Sequence, residues 1–147
     1  MTESEAIAVF KKQMQKRYPT GFFYKIPDGY VHLGGEKMMS QRKPFDMIGI
    51  VAGLVTVYEF KKHVGDGNFP CSKFAAHQIE GLRQAFLAGA EACGVIAWQR
   101  AAGSPLKFYF VSLADLESGG GIVLSSCVEF RNGSPPPPAI SDTSARV

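Results

Sequence analysis

Asp46, Glu59 and Lys61 are the residues whose types and spacing could do chemistry together. Pro44-Phe45-Asp46 is followed, after twelve residues, by Glu59-Phe60-Lys61. Residues two apart on a strand face the same way, so Glu59 and Lys61 emerge side by side if that segment is extended. A hairpin between the two motifs would bring Asp46 across from them. Two carboxylates and an ammonium at one point on a sheet are costly without a counter-ion. A divalent cation resolves the cost, because carboxylate oxygens are the hard ligands Mg²⁺ or Mn²⁺ prefers, and the remaining positions can take water and a phosphate oxygen. Such an ion activates the water and neutralises charge developing on phosphorus. Lys61 would position or help deprotonate that water, or stabilise the transition state.

A Glu-x-Lys triplet alone arises by chance in about half of chains of this length. An Asp at hairpin distance, with both motifs on strand-like segments, lowers that rate to roughly a few per cent. The competing reading is a solvated sheet edge carrying three charges.

The elements that must position these residues follow from periodicity. Thr2 and Glu5 have the spacing of a capping box, and Ile7, Phe10, Met14 and Tyr18 recur at helical spacing before Pro19, predicting a helix over 3–18. Phe22 to Ile26 reads as a strand, and 30–43 as a mobile basic loop without clear period. Strands over 45–51 and 54–62 meet at a tight turn, Ala52-Gly53. Ser72 is a plausible N-cap for a helix running from Phe74 to about Ala92. Val95 to Gln99 and Leu106 to Leu113 are strands, 113–118 one helical turn, and 122–130 a last strand. The order α-β-β-β-α-β-β is that of an α/β protein with a mixed sheet.

The 147 residues suit one domain, read as 1–131, while the tail 132–147 with Pro135 to Pro138 has too little apolar surface to pack. A chain 46% hydrophobic and 20% charged is neither disordered nor membrane-embedded in composition. The N-terminus is acidic where a secretory leader is basic and then apolar, so the expected location is the cytoplasm, or a host's cytoplasm if phage-encoded. Cys71, Cys93 and Cys127 lack zinc-site spacing and read as reduced thiols. Residues 1–43 hold eight Lys and Arg against four Asp and Glu, an excess of +4 in a chain whose net charge is +3. Arg42 and Lys43 adjoin the Asp46 strand and are the first candidates for gripping a nucleic-acid phosphate, followed by Lys37, Lys62 and Lys73. Each has the alternative of a solvated charged face. The Phe and Tyr residues mostly follow core periodicity and are not read as base-stacking platforms.

Together, Arg42-Lys43-Pro44-Phe45-Asp46, Tyr58-Glu59-Phe60-Lys61, Asn68-Phe69-Pro70 and His77-Gln78-Ile79-Glu80-Gly81-Leu82 resemble RecU-like and Hjc-like Holliday junction resolvases of the PD-(D/E)XK nuclease superfamily. The resemblance covers roughly residues 36–113. It implies a restriction-endonuclease-like mixed sheet flanked by helices, Mg²⁺-dependent cleavage (Mn²⁺ substituting), a homodimer and four-way DNA junctions as substrate. By it Asp46 and Glu59 become metal ligands, Lys61 the catalytic lysine, and Gln78 a polar residue beside the site. Gln78 otherwise reads as an ordinary exposed helix residue. Glu5 gains a second reading as an additional acidic site residue, since related resolvases carry a glutamate on that helix. No long stalk-type insertion of the kind found in cellular RecU proteins is present. A repair nuclease acting on other DNA structures and a non-catalytic DNA-bridging module stay open as alternatives.

Overall fold

In a computed structural model of the chain, residues 1–35 and 37–131 are described, with 30–33 and 37–41 described by backbone alone. The expectation for the 132–147 tail falls outside the described residues. Thr2 caps α1 (Glu3–Arg17) as its spacing predicts: its hydroxyl accepts the Glu5 N–H at 3.1 Å, and the Glu5 carboxylate accepts the Thr2 N–H at 2.6 Å. The apolar positions Ala6, Ile7, Phe10 and Met14 form its buried face.

After β1 (Phe22–Lys25) the chain forms an antiparallel ribbon, β2 (Gly29–Gly34) and β3 (Lys37–Gln41), where an irregular loop was expected. A two-stranded ribbon is defined by backbone pairing and needs no one-sided burial, so it leaves no alternation for a sequence to show. β4 (Met47–Val51) and β5 (Leu54–Val64) make the anticipated hairpin. Its turn places both Ala52 and Gly53 at positive φ, 50° and 80°, the geometry that matches strand twist in two-residue loops.

β6 (Asn68–Pro70) and a 3₁₀ turn over Cys71–Lys73 precede α2 (Ala76–Leu87). Ser72 lies in that turn, and Ala75 is the N-cap. Gly89, at φ 111°, follows the end of α2, and β7 (Glu91–Gln99) starts four residues before the expected strand. β8 (Lys107–Ser112) and α3 (Leu113–Ser118) fall where the pattern placed them. The last strand divides instead into β9 (Gly121–Val123), a 3₁₀ turn and β10 (Val128–Phe130), and β9 pairs with β6 in a small separate sheet.

The six-stranded sheet has the order β1-β4-β5-β7-β8-β10, in which only β5 and β7 run parallel. Helices cover both faces. On the α1 face Phe10 is fully buried and its ring contacts those of Tyr58, Phe60, Phe108, Phe110 and Phe130 at centroid distances of 5.1 to 6.0 Å. On the other face Leu82 and Phe86 of α2, with Leu113 and Leu116 of α3, pack over Val57, Ala92, Ile96 and Val111. All three cysteines are free; Cys71 and Cys93 are buried and Cys127 is partly covered. Among the described residues no helix is long and apolar enough to cross a membrane.

Candidate active site

β4 stops at Met47 while β5 runs on to Val64, so beyond Tyr58 one edge of β5 has no β4 partner. Asp46 fills that edge with its side chain. Its N–H bonds to Tyr58 O at 2.9 Å, its C=O accepts the Ile26 N–H at 2.8 Å, and its Oδ2 accepts the Phe60 N–H at 2.8 Å. The carboxylate is thereby locked against β5, with the residue only 5% exposed. Glu59, 4% exposed, rises from β5 beside it.

Gln78 reaches Glu59 from the first turn of α2. Its Oε1 accepts the Ala75 N–H at 2.9 Å, one half of a capping box. That bond demands oxygen at this position, so the amide NH₂ must point the other way, where Nε2 donates to Glu59 Oε1 at 2.9 Å. The approach of α2 depends on Gly81: a Cβ there would lie 1.9 Å from Pro44 O. Glycine at 81 therefore lets α2 close on the segment that delivers Asp46.

Burial raises the Glu59 carboxyl far above its ordinary value, the adjacent Asp46 charge raises it further, and Lys61 offsets part of the rise. Lys61, on the same face of β5, has its ammonium 5.8 Å from the Phe74 ring centroid. Lys43 supplies the present counter-charge for Asp46. Its Nζ lies 3.1 Å from Asp46 Oδ1 and 2.7 Å from Asp28 Oδ1, and it donates to Ile26 O at 3.2 Å. Burial alone would lower its pKa, but the hydrogen bonds to Asp28 and Asp46 prevail and hold it raised.

Glu3, which sequence reasoning passed over, belongs to the electrostatics of this site, and Glu5 does not. The residue is exposed, yet its carboxyl is desolvated enough to be raised by burial, lowered in part by Lys61, raised again by Asp46 and lowered by a backbone hydrogen bond from Lys62. Glu5 is spent in the capping box, and Thr2 together with the chain's terminal ammonium holds its carboxyl lowered. Two residues on a helix lie about 200° apart, so both glutamates cannot face one site.

The expected cations separate as well. Arg42 is exposed, whereas Lys43 is turned inward to its two carboxylates and is not poised for a phosphate. Lys62 donates to the Met1 carbonyl from the α1 side, and Lys73 sits over the Phe69 ring at 5.6 Å. The side chain of Lys37 lies outside the described residues.

The donor set fits a hard divalent cation. Asp46 and Glu59 are a buried oxygen pair in which the Asp46 charge opposes ionisation of Glu59, and Mg²⁺ is commonly held by one or two carboxylates with water and phosphate completing its shell. Among the described residues no cluster of three or more His, Cys, Asp or Glu forms a complete protein cage. Water and substrate oxygens would fill the other positions.

The architecture is a mixed α/β fold, a mostly antiparallel sheet between helices. It is similar to the structure of Archaeoglobus fulgidus Hjc, a Holliday junction resolvase from an archaeal hyperthermophile, with a TM-score of 0.55 and 14% identity over 86% of this chain and 94% of that one. No protein-family model matches the chain, and no curated protein matches it.

Proposed function

We propose that this protein is a structure-selective endonuclease of the PD-(D/E)XK type that hydrolyses phosphodiester bonds in four-way DNA junctions. The observation that carries the reading is the buried Asp46 and Glu59 pair, oriented by Phe60 N–H and Gln78 and set beside Lys61, on a fold similar to that of a resolvase. Asp46 and Glu59 would hold Mg²⁺, with Mn²⁺ able to substitute. When bound, the ion activates water and offsets charge on the phosphoryl oxygens.

The chain's own groups do the rest. The Phe60 N–H keeps one Asp46 oxygen in place, and Gln78 does the same for Glu59, so the ligands enter the reaction already oriented. Lys61 positions the nucleophilic water or stabilises developing charge. Glu3 adds its charge to the field that raises the Glu59 carboxyl. Lys43 offsets the Asp46 charge from 3.1 Å and would share that carboxylate with a bound cation. Arg42 and Lys73, both exposed, are the cations proposed to contact DNA phosphates. Symmetric resolution needs two nicks on opposing strands, which a two-fold homodimer supplies. We place this activity in the cytoplasm, in recombination or repair.

The test is cleavage of an end-labelled synthetic four-way junction and a matching duplex across a Mg²⁺ titration. Metal-dependent cutting of the junction alone supports the resolvase. Equal cutting of both substrates makes it a general repair nuclease, and binding without cutting at any Mg²⁺ or Mn²⁺ concentration leaves a DNA-bridging module.

A further inference from the structure

The two cores absorb most of the aromatic rings. Phe22 and Tyr24 are exceptions, 56% and 48% exposed, against the expectation that aromatic residues here serve the core. Alternation along β1 sends Phe23 into the α1 core and turns Phe22 and Tyr24 to the opposite face. On that face α2 lies over β5 and β7, and α3 over β7 and β8. The β1–β4 end remains open: Phe22 pairs with exposed Ile50, and Tyr24 with half-buried Ile48. The Phe22 and Tyr24 ring planes lie within 12° of each other, with centroids 6.3 Å apart. Full face-on contact needs about 3.5 to 4 Å between carbons, so neither ring covers much of the other.

We propose that Phe22 and Tyr24 form a stacking platform for an unpaired base of the DNA substrate beside the Asp46 and Glu59 site. The proposal rests on the nuclease reading and extends it to what the enzyme recognises in branched DNA. Ile50, Ile48 and Asp46 share one face by alternation, and two residues of strand span about 7 Å, so the aromatic track leads directly to the carboxylates. No carboxylate interrupts Phe22, Tyr24, Ile48, Ile50 and Val55. Exposed Arg42 precedes the site, which suits a phosphate backbone, whereas Lys25 points to the opposite face, where its Nζ donates to Ser4 Oγ at 2.6 Å.

A paired duplex offers the platform only phosphates and groove edges, whereas bases released at a strand-exchange point offer π-faces that aromatic rings bind without sequence preference. A second protein copy fits this patch less well. The apolar side chains expose roughly 300 Å², short of the ~800 Å² per partner of a stable interface.

The test uses the full chain without divalent metal, a four-way junction carrying 2-aminopurine at the exchange point, and a matching duplex. Wild-type protein should quench the 2-aminopurine. The double variant Phe22→Leu/Tyr24→Leu, which keeps apolar surface but no ring, should lose the quench and bind the junction about tenfold or more weakly while binding duplex unchanged. Phe22→Trp/Tyr24→Trp should retain both properties. Unaltered quench and affinity in the leucine variant would overturn the proposal. So would normal quenching by Phe22→Ser/Tyr24→Ser accompanied by a changed oligomeric state in sedimentation, which would make the patch a subunit interface. Because these readouts need no cleavage, a protein that quenches but never cuts overturns the nuclease reading and leaves the platform standing.

Discussion

Gln78 Nε2 lies 2.9 Å from Glu59 Oε1, while the oxygen of the same amide accepts the Ala75 N–H at the start of α2. One side chain therefore ties the helix terminus to the buried carboxylate. Gln78→Leu should remove both bonds, lowering metal affinity or junction cleavage by about 10- to 100-fold. Mn²⁺ titration of the cleavage rate checks it. Unchanged metal dependence would remove Gln78 from the site.

Glu59 links the site to pH. Its carboxyl is raised from an ordinary 4.5 to about 9 by burial first and the Asp46 charge second. In that window the metal-free folded state binds more protons than the unfolded state, so the Glu59 contribution to stability is complete below the lower value and is lost as pH rises through the upper one. Urea denaturation in chelator at about pH 6 and about pH 8.5 should show lower stability at the higher pH, and Glu59→Gln should abolish most of that difference. Cation affinity should run the opposite way, increasing with pH, because the ligand must ionise.

Glu3 and Glu5 offer a paired comparison two residues apart. Glu5→Gln removes only the charge from the capping box and should lower the melting temperature slightly, with little change in cleavage. Glu3→Gln should alter the cleavage rate and its pH profile with little change in melting, because the Glu3 charge helps to raise the Glu59 carboxyl. The reverse result would return the acidic role to Glu5.

Gly81 has a packing role with a functional consequence. Gly81→Ala forces the 1.9 Å approach of Cβ to Pro44 O to open, and should destabilise by about 1–3 kcal/mol. Chemical denaturation measures the cost. Cleavage assayed well below the melting temperature should also fall, since moving α2 away carries Gln78 off Glu59.

Asp46 and Glu59 were legible as neighbours because strand alternation and a two-residue turn are local properties, and the Ala52-Gly53 hairpin formed where both motifs required it. The mixed sheet with flanking helices was legible for the same reason. Glu3 was passed over because the resemblance drew the acidic role to Glu5, although Glu3 precedes Ile7 and Phe10 by four and seven residues and so lies on the helix face that meets the sheet. Lys43 read as a solvent-facing cation because its partner Asp28 lies across the β2–β3 ribbon, fifteen residues away in sequence. The ribbon itself, β6 and β9 are short pairings without a repeating apolar pattern, and only the folded backbone reveals them. Phe22 and Tyr24 look like core residues by composition, and become surface ones because no helix covers that end of the sheet.

Single-turnover cleavage of a four-way junction labelled on two opposing strands, compared between wild type and Asp46→Asn in Mg²⁺, is the most direct test of the nuclease reading. The asparagine side chain keeps an oxygen that can accept the Phe60 N–H but lacks the negative charge, so the fold should survive. Wild type should make symmetric paired nicks, and the variant should bind the junction comparably while cutting about 100-fold or more slowly. Cleavage by the variant at the wild-type rate would contradict a metal-dependent site at Asp46 and Glu59.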